Sequence, residues 1–281
     1  MDWLVSTDWL AERLEAPGIV VLDCSWYLPE SGKFAIDDFH RGHIPGAQFA
    51  DLTAISDPGS PYANMLPGEA HFARAMGRLG IGNDSHVVVY DAGYVSARLW
   101  WMLRIFGHER VSILDGGWRK WCAEGRPVEK GAARDVAPGN FEARLDAARV
   151  VTLDQMKRAV DAGDATIVDA RTPAKFRGQE GSGYPGVPGG FMPGAINTHW
   201  GAFFDAEKDH VFVSPEAARR VFERAGADIS GEVITTCGSG VTAAILGFMI
   251  ERLGNEGWRL YDGSWHEWAQ QPETAKLTTK D

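Results

Sequence analysis

The chain has 281 residues and a formal net charge of −10, and its basic residues are dispersed along the sequence. A protein that binds the phosphate backbone without sequence preference needs a basic face, so this charge pattern argues against a nucleic-acid partner. No apolar run approaches the roughly 18 residues of a membrane span, and residues 1–8 lack the basic region of a signal peptide, so we also expect no membrane partner.

In the first half of the chain, short apolar segments alternate with segments of helical periodicity. Predicted strands cover residues 19–23, 87–90 and 111–114, and predicted helices cover residues 71–79 and 97–106. Near-continuous apolar strands separated by helices are typical of a parallel sheet that is covered on both faces. We therefore predict an α/β fold with a doubly wound, mostly parallel sheet flanked by helices. In such sheets the ligand crevice lies beyond the carboxyl ends of the strands.

In the second half, a β-branched strand at residues 233–236 leads into Cys237, a glycine-rich loop and an apolar helix. This order places one thiol at the end of a strand and at the start of a helix. Inward-pointing loop amides and the helix dipole both stabilise a negatively charged sulfur. Gly238 and Gly240 let the backbone curl around the sulfur because they carry no Cβ. A lone cysteine is often only a small hydrophobic core residue, but this loop favours a reactive thiol.

The two halves of the chain resemble each other in a fixed register. Residues 87–91 match residues 233–237 at a displacement of 146 residues, and residues 115–118 match residues 262–265 at a displacement of 147. Stacked repeat arrays have periods of about 20–50 residues. The long period therefore indicates two copies of one domain.

The duplication predicts the domain organisation. We place an N-terminal domain at residues 1–128, a linker rich in Pro, Gly, Ala and charged residues at 129–149, and a C-terminal domain at 150–281. Asp91 stands where the second copy has Cys237. A carboxylate cannot act as a sulfur nucleophile, so the C-terminal copy is predicted to be catalytic and the N-terminal copy inactive.

The three cysteines, Cys24, Cys122 and Cys237, show no CxxC spacing and have an odd total. Disulfide bonding is therefore not expected, and a reducing cytoplasm fits the cysteine usage. The eight histidines show no paired ligand spacing, so we predict no metal site.

Several motifs resemble those of one family. The loop Cys-Gly-Ser-Gly-Val-Thr at residues 237–242 is similar to the active-site loop of the 3-mercaptopyruvate sulfurtransferases, a branch of the tandem rhodanese family. Supporting motifs are Gly-His-Ile-Pro-Gly-Ala at 42–47, Asp-Ala-Arg at 169–171 and Phe-Arg-Gly at 176–178. The resemblance covers essentially the whole chain. It implies two tandem rhodanese-like domains, each with a mostly parallel sheet flanked by helices.

The resemblance also implies a two-step reaction. The Cys237 thiolate takes sulfur from 3-mercaptopyruvate, releases pyruvate and becomes a persulfide, and an acceptor then removes the outer sulfur. The acceptor would be a small thiol, a reduced thioredoxin or cyanide, and no organic cofactor is needed. The amides expected to hold the anionic sulfur belong to the loop residues Gly238, Ser239, Gly240, Val241 and Thr242.

Further site residues follow from the same resemblance. His43 is similar to a histidine that relays a proton with the loop serine, Ser239, and Asp37 and Asp38 are nearby candidates for its acidic partner. A structural hydrogen bond is the alternative role for His43.

The family grips the donor's carboxylate and carbonyl with arginines, whose positions fall here on Lys175 and Tyr184. Lysine keeps the charge but loses the planar fork of arginine. Arg177 is the next candidate for the carboxylate, and a surface ion pair is its alternative role. If this segment does not bind the donor, the loop amides or Arg98 and Arg104 are the remaining candidates.

Three alternative functions fit the residues around Cys237 less well. Thiosulfate sulfurtransferases typically have a basic pair directly after the cysteine, whereas Gly238 and Ser239 stand here, which favours mercaptopyruvate over thiosulfate. A cysteine phosphatase needs an arginine six residues after the cysteine, and that position is Ala243. A non-catalytic sulfur-carrier or binding module is the third alternative, and a binding module would not need the cysteine and both loop glycines.

Overall fold

The computed structural model describes residues 3–279 of the chain. The first copy forms a five-stranded parallel sheet in the order β1-β5-β4-β2-β3. Its strands are β1 (Leu4–Val5), β2 (Ile19–Asp23), β3 (Gln48–Phe49), β4 (His86–Tyr90) and β5 (Val111–Leu114). The three predicted strands are confirmed, and β1 and β3 are two-residue edge strands.

Helices cover the first sheet on both faces. They are α1 (Thr7–Ala11), α2 (Ala35–Arg41), α3 (Leu52–Ile55), α4 (Glu69–Arg78), α5 (Ser96–Ile105) and α6 (Gly117–Ala123). The helices predicted at residues 71–79 and 97–106 correspond to α4 and α5. α5 is buried along almost its whole length, which explains why its sequence is apolar on nearly every side.

The second copy repeats this arrangement. Its strands are β6 (Val150–Val151), β7 (Thr166–Asp169), β8 (Ile196–Asn197), β9 (Phe204–Asp205), β10 (Val211–Phe212), β11 (Val233–Thr236) and β12 (Arg259–Tyr261). Five of them form a parallel sheet in the order β6-β12-β11-β7-β8, and β9 and β10 form a separate antiparallel pair. The two five-stranded sheets have the same topology, so the duplication read from the sequence is confirmed.

The helices of the second copy complete its two outer layers. They are α7 (Leu153–Ala162), α8 (Pro173–Arg177), α9 (Pro215–Ala225), α10 (Ala243–Arg252) and α11 (Ser264–Trp268). Among residues 3–279, no helix is both long and apolar enough to cross a membrane.

The segment between the two sheets runs over the surface of the first copy. It has no helix or strand between α6 and a short 3₁₀ turn that precedes β6. Its backbone is fixed by hydrogen bonds from Gly139 N to Gly77 O (2.8 Å) and from Asp146 N to Ile105 O (2.7 Å). The segment is therefore ordered by contacts with the first copy.

The two copies pack through equivalent helices, α5 and α10. Trp100 of α5 meets Phe248 of α10 edge to face, with ring centroids 4.8 Å apart. Beside them the buried carboxylate of Glu251 pairs with Arg104 from α5 and with Arg149 at 2.8 Å. One apolar core runs through both copies. A cleft lies between the two domains, and residues of both line it.

Candidate active site

Cys237 follows β11 directly, at the carboxyl end of a central strand and just before α10. Its side chain is buried but lines a cleft of about 180 Å³. The loop after it turns at Gly240, where φ is +77° and a Cβ would lie 2.9 Å from the Arg98 guanidinium. Only glycine fits this turn without strain. The sequence prediction for the position of the thiol is consistent with this geometry.

Ser264 shapes the loop from the start of α11. Its Oγ accepts hydrogen bonds from Cys237 N (3.2 Å) and Gly240 N (3.0 Å) and donates to Tyr261 O (2.9 Å). The Gly240 amide is therefore already occupied, so its predicted role in holding the sulfur anion is not consistent with the structure. Ser264 has a φ of +50° and lies 27 residues after the cysteine, so the loop motif gave no sign of it.

Four loop amides remain available for an anion. In the described part of the chain, the N–H groups of Gly238, Ser239, Val241 and Thr242 donate to no other group. They lie between Cys237 and the N-terminus of α10, where the helix dipole adds partial positive charge. A cluster of free amides at this place can hold an anionic sulfur or a developing oxyanion.

The equivalent loop of the first copy holds an anion of its own. The Asp91 carboxylate accepts hydrogen bonds from the amides of Gly93, Val95 (2.8 Å) and Ser96. Asp91 acts as a built-in anion, and its position shows that this loop type binds negative charge at the end of the central strand.

The other two cysteines lie in different environments. Cys24 is buried in the first copy with Sγ 3.2 Å from Tyr90 O, and burial raises the pKa of its thiol well above the usual range. Cys122 is exposed on α6, and partial desolvation raises the pKa of its thiol as well. Neither lies in a loop of free amides, so the geometry favours Cys237 as the nucleophile.

Ser239 lies in a hydrogen-bonded group built from both domains. The Tyr184 hydroxyl donates to Ser239 Oγ at 2.5 Å, and Asn64 Nδ2 of the first copy donates to the same oxygen at 2.8 Å. Because two donors point at Ser239 Oγ, its own proton is free to point into the cleft. Asn64 was not found from the sequence, since it lies 175 residues from Ser239.

The predicted relay between His43 and Ser239 does not agree with the structure. His43 is buried in the first copy, where Nδ1 donates to Phe39 O (2.9 Å) and the imidazole stacks on the Phe39 ring. Asp38, a candidate acidic partner, accepts from the Tyr27 hydroxyl and pairs with Arg41. His43 therefore has the structural role that was its alternative.

Tyr184 is fixed against the loop as a neutral hydroxyl. Burial raises the pKa of Tyr184 well above its usual range, so it keeps its proton at neutral pH. Its ring stacks on His266, with centroids 4.3 Å apart, and burial lowers the pKa of that imidazole. His266 Nδ1 in turn accepts from Ala63 N (3.0 Å). Tyr184 lines the cleft as predicted, but its hydroxyl is directed at Ser239.

Lys175 and Arg177 lie on the same short helix, α8, but have different surroundings. Lys175 lines the cleft, and its Nζ lies 3.1 Å from Glu30 Oε1 of the first copy. Arg177 is exposed and does not line the cleft. The structure thus places Lys175 with Cys237 and does not place Arg177 there.

Arg171, the last residue of the Asp-Ala-Arg motif, also lines the cleft, although the motif alone indicated no separate role for it. It forms a buried ion pair with Asp169 (2.6 Å), and Nη2 also donates to Gly190 O (2.7 Å). Within residues 3–279, its buried Nη1 has no hydrogen-bond partner. A buried donor without a partner at a cleft wall is suited to bind an anionic ligand.

The two fallback arginines have structural partners instead. Arg98 is fully buried below the loop, where it pairs with Asp262 (2.7 Å) and donates to Asn64 O (2.6 Å). Arg104 pairs with Glu251 and Glu109. Neither lines the cleft, so the suggestion that they hold the donor carboxylate was wrong.

Comparison with known families explains the repeated loop geometry. The family described as the rhodanese-like domain matches residues 6–124 and again residues 152–271. The chain belongs to the rhodanese family. It carries two rhodanese domains in tandem, and the second contains the cysteine loop.

Named relatives share both rhodanese domains. A 3-mercaptopyruvate sulfurtransferase of Homo sapiens is 42% identical over 273 residues, covering 94% of this chain and 91% of that protein. A thiosulfate sulfurtransferase of Cricetulus griseus is 40% identical over 282 residues, covering 96% and 94%. Among solved structures, SseA from Escherichia coli, described as a 3-mercaptopyruvate sulfotransferase, has a TM-score of 0.86 and 35% identity, covering 94% of this chain and 99% of that one.

Proposed function

We propose that this rhodanese moves sulfane sulfur from 3-mercaptopyruvate to an acceptor through a persulfide on Cys237 and releases pyruvate. The observation that carries the proposal is the position of Cys237 beside four free loop amides in a cleft that also contains Lys175 and Arg171. Relatives about 40% identical over nearly the whole chain are named as sulfurtransferases.

The cleft offers separate groups for each part of the donor. Lys175 Nζ and the unpartnered Nη1 of Arg171 are the cations that would bind the carboxylate. The free proton of Ser239 would hydrogen-bond to the carbonyl oxygen, supported by Tyr184 and Asn64. This set replaces the arginine pair that the resemblance implies for the family.

The first half-reaction transfers the donor sulfur to Cys237. The Cys237 thiolate attacks the donor sulfur, a new S–S bond forms, and the C–S bond breaks with its electron pair leaving on the enolate of pyruvate. Ser239 stabilises the enolate oxygen by a hydrogen bond. The proton of the donor thiol ends on the methyl carbon of pyruvate, so the enzyme is left as a persulfide anion.

In the second half-reaction, the acceptor attacks the outer sulfur and the electron pair of the S–S bond returns to Cys237. A small thiol, a reduced thioredoxin or cyanide can supply this nucleophile. The free amides of Gly238, Ser239, Val241 and Thr242 would stabilise the anionic sulfur in both states.

Thiosulfate is the second candidate donor, because relatives at 39–40% identity are named thiosulfate sulfurtransferases. Both cations of the cleft already have carboxylate partners, Asp169 and Glu30. This pairing favours the singly charged mercaptopyruvate over the doubly charged thiosulfate. Comparing kcat/KM for the two donors with one common acceptor tests the choice.

The compartment we propose is the cytoplasm, because Cys24, Cys122 and Cys237 are all unpaired thiols, as expected in a reducing environment. A plant relative that is 36% identical carries "mitochondrial" in its name, and that organelle is the alternative compartment.

The direct test of the proposal is to detect the covalent persulfide on Cys237. After incubation with 3-mercaptopyruvate, mass spectrometry should find one added sulfur on the Cys237 peptide. Cys237→Ser should abolish pyruvate release, whereas Cys24→Ser and Cys122→Ser should retain it. A sulfur added to another cysteine, with Cys237 unmodified, would contradict the proposal.

A further inference from the structure

A second cavity lies beside the catalytic cleft. It has a volume of about 320 Å³ and is walled by both domains, as the catalytic cleft is. Trp26, Tyr94 and Trp200 line both cavities. The second cavity therefore adjoins the catalytic cleft at these aromatic side chains, and its volume is in the range of small-molecule sites.

The floor of this cavity cannot carry sulfur chemistry of its own. Asp91 lies there in place of a cysteine, and its carboxylate already occupies the amides of Gly93, Val95 and Ser96. An incoming anion cannot use these amides. A charged ligand here would therefore rely mainly on the cavity's side chains, and any sulfur chemistry would have to take place in the neighbouring cleft.

The side chains around the cavity include two cations without acidic partners. In the described part of the chain, neither Lys33 nor Arg119 pairs with a carboxylate. By contrast, both cations of the catalytic cleft, Arg171 and Lys175, do. In a protein with a net charge of −10, the second cavity thus carries two cationic side chains that no described carboxylate pairs with, although Asp91 also lines it.

The wall that carries Arg119 is held by specific contacts. Arg119 Nε donates to Ala92 O (3.0 Å), and among residues 3–279 its terminal nitrogens have no hydrogen-bond partner. On the opposite domain, His210 donates through Nε2 to Gly93 O (2.8 Å) and stacks on Phe204 with ring centroids 4.2 Å apart. These contacts fix the cavity before a ligand binds.

We propose that the second cavity binds the sulfur acceptor, and that this acceptor is a small thiol carrying carboxylates. Its carboxylates would pair with Lys33 and Arg119. Its thiol would extend past Trp26, Tyr94 and Trp200 into the catalytic cleft. The acceptor sulfur attacks the outer sulfur of the Cys237 persulfide, one S–S bond forms as the other breaks, and the product is the acceptor persulfide and the Cys237 thiolate. This proposal rests on the sulfurtransferase function proposed above.

The test compares an anionic and a neutral acceptor. With 3-mercaptopyruvate as donor, glutathione carries two carboxylates and 2-mercaptoethanol carries none. Lys33→Ala and Arg119→Ala should each raise KM for glutathione by roughly three- to fivefold, and the double variant by roughly tenfold or more, as expected for partly exposed charge pairs. The kinetics with 2-mercaptoethanol should not change, and Arg119→Lys should retain most of the affinity for glutathione.

Controls separate this proposal from the one it rests on. Arg158→Ala removes an exposed arginine on α7 and should change neither acceptor's kinetics. Single-turnover persulfide formation, measured by mass spectrometry without acceptor, should be the same in all variants. If no persulfide forms even in the wild type, the proposed function fails. If persulfide forms but KM for glutathione is unchanged, or rises equally for 2-mercaptoethanol, the acceptor site is overturned.

Discussion

Glu30 of the first domain and Lys175 of the second form an ion pair across the mouth of the cleft, with Oε1 and Nζ 3.1 Å apart. The Glu30 side chain is 55% exposed and that of Lys175 is 17% exposed. Such partly exposed pairs contribute only about 0.2–1 kcal/mol. We therefore expect a donor carboxylate to replace Glu30 at Lys175, so that the pair would limit how strongly an anionic donor binds.

Removing the charge of Glu30 should tighten donor binding. In Glu30→Gln, Lys175 no longer has a competing carboxylate, so KM for 3-mercaptopyruvate should fall by roughly two- to fivefold. Steady-state kinetics with a fixed acceptor measure this change. Glu256→Gln, at an exposed glutamate without a partner among the described residues, is the control and should behave as wild type. A raised KM in Glu30→Gln would contradict the argument.

The two basic residues of α8 should differ sharply. Lys175→Ala removes a charge-assisted hydrogen bond to the donor, which is worth about 1.5–3 kcal/mol, so kcat/KM for 3-mercaptopyruvate should fall roughly 10- to 150-fold. Arg177→Ala should change it by less than about twofold, because exposed charges away from a site contribute little. Equal losses in both variants would show that α8 acts by its stability alone.

Tyr184→Phe should affect the chemical step more than donor binding. The variant removes one of the two donors to Ser239 while Asn64 remains. A neutral hydrogen bond is worth about 0.5–1.5 kcal/mol, so kcat should fall roughly 2- to 13-fold with little change in KM. Tyr62→Phe is a matched control, since among the described residues the Tyr62 hydroxyl has Gln271 as its one hydrogen-bond partner. Rapid-quench measurement of pyruvate release should show the loss, and an unchanged rate would place Ser239's support elsewhere.

Asp23 should make stability depend on pH. It corresponds to Asp169 of the second copy, but where Asp169 has Arg171 it has Ser25. Burial raises the pKa of Asp23 from 3.8 to about 6. The folded state therefore binds the proton more tightly than the unfolded chain, whose pKa is about 3.9. This stability is present at low pH and is lost as pH rises from about 4 through 6.

Asp23→Asn should remove that dependence, since Asn can still accept from Ser25 N. Relative to wild type, the variant should gain on the order of 2 kcal/mol in free energy of unfolding between pH 4 and pH 8. Urea denaturation of both proteins at each pH measures the difference, and effects of pH on other groups cancel in the comparison. Parallel curves for the two proteins would rule out a raised pKa at Asp23.

The fold was predictable where its pattern is local. Residues 87–90 and 111–114 read as strands because buried parallel strands are apolar on both faces, and the helix predicted at 97–106 differs from α5 by one residue at each end. The edge strands β1 and β3 were missed because two residues cannot show a period. The repeated register carried the topology of one sheet over to the other.

Only the site residues that are neighbours in sequence were predictable. Cys237 and its loop could be read from order along the chain, since strand, glycines and helix are neighbours in sequence. Asn64, Glu30 and Ser264 reach the same place from distant segments and have ordinary local patterns. His43 was misplaced for the same reason: a family motif gives a residue's identity, whereas its stacking on Phe39 is decided by packing.

The loops of the two copies differ in whether their anion is permanent. In the first copy, the Asp91 carboxylate is always present as the partner of the amides at the start of α5, so this loop needs no bound anion. In the second copy the equivalent amides have no fixed partner among the described residues. Whether they are hydrogen-bonded depends on the charge of the Cys237 sulfur. Persulfide chemistry would thus be confined to the second copy, whose loop amides gain and lose an anionic partner during turnover, while the loop of the first copy keeps the same charge throughout.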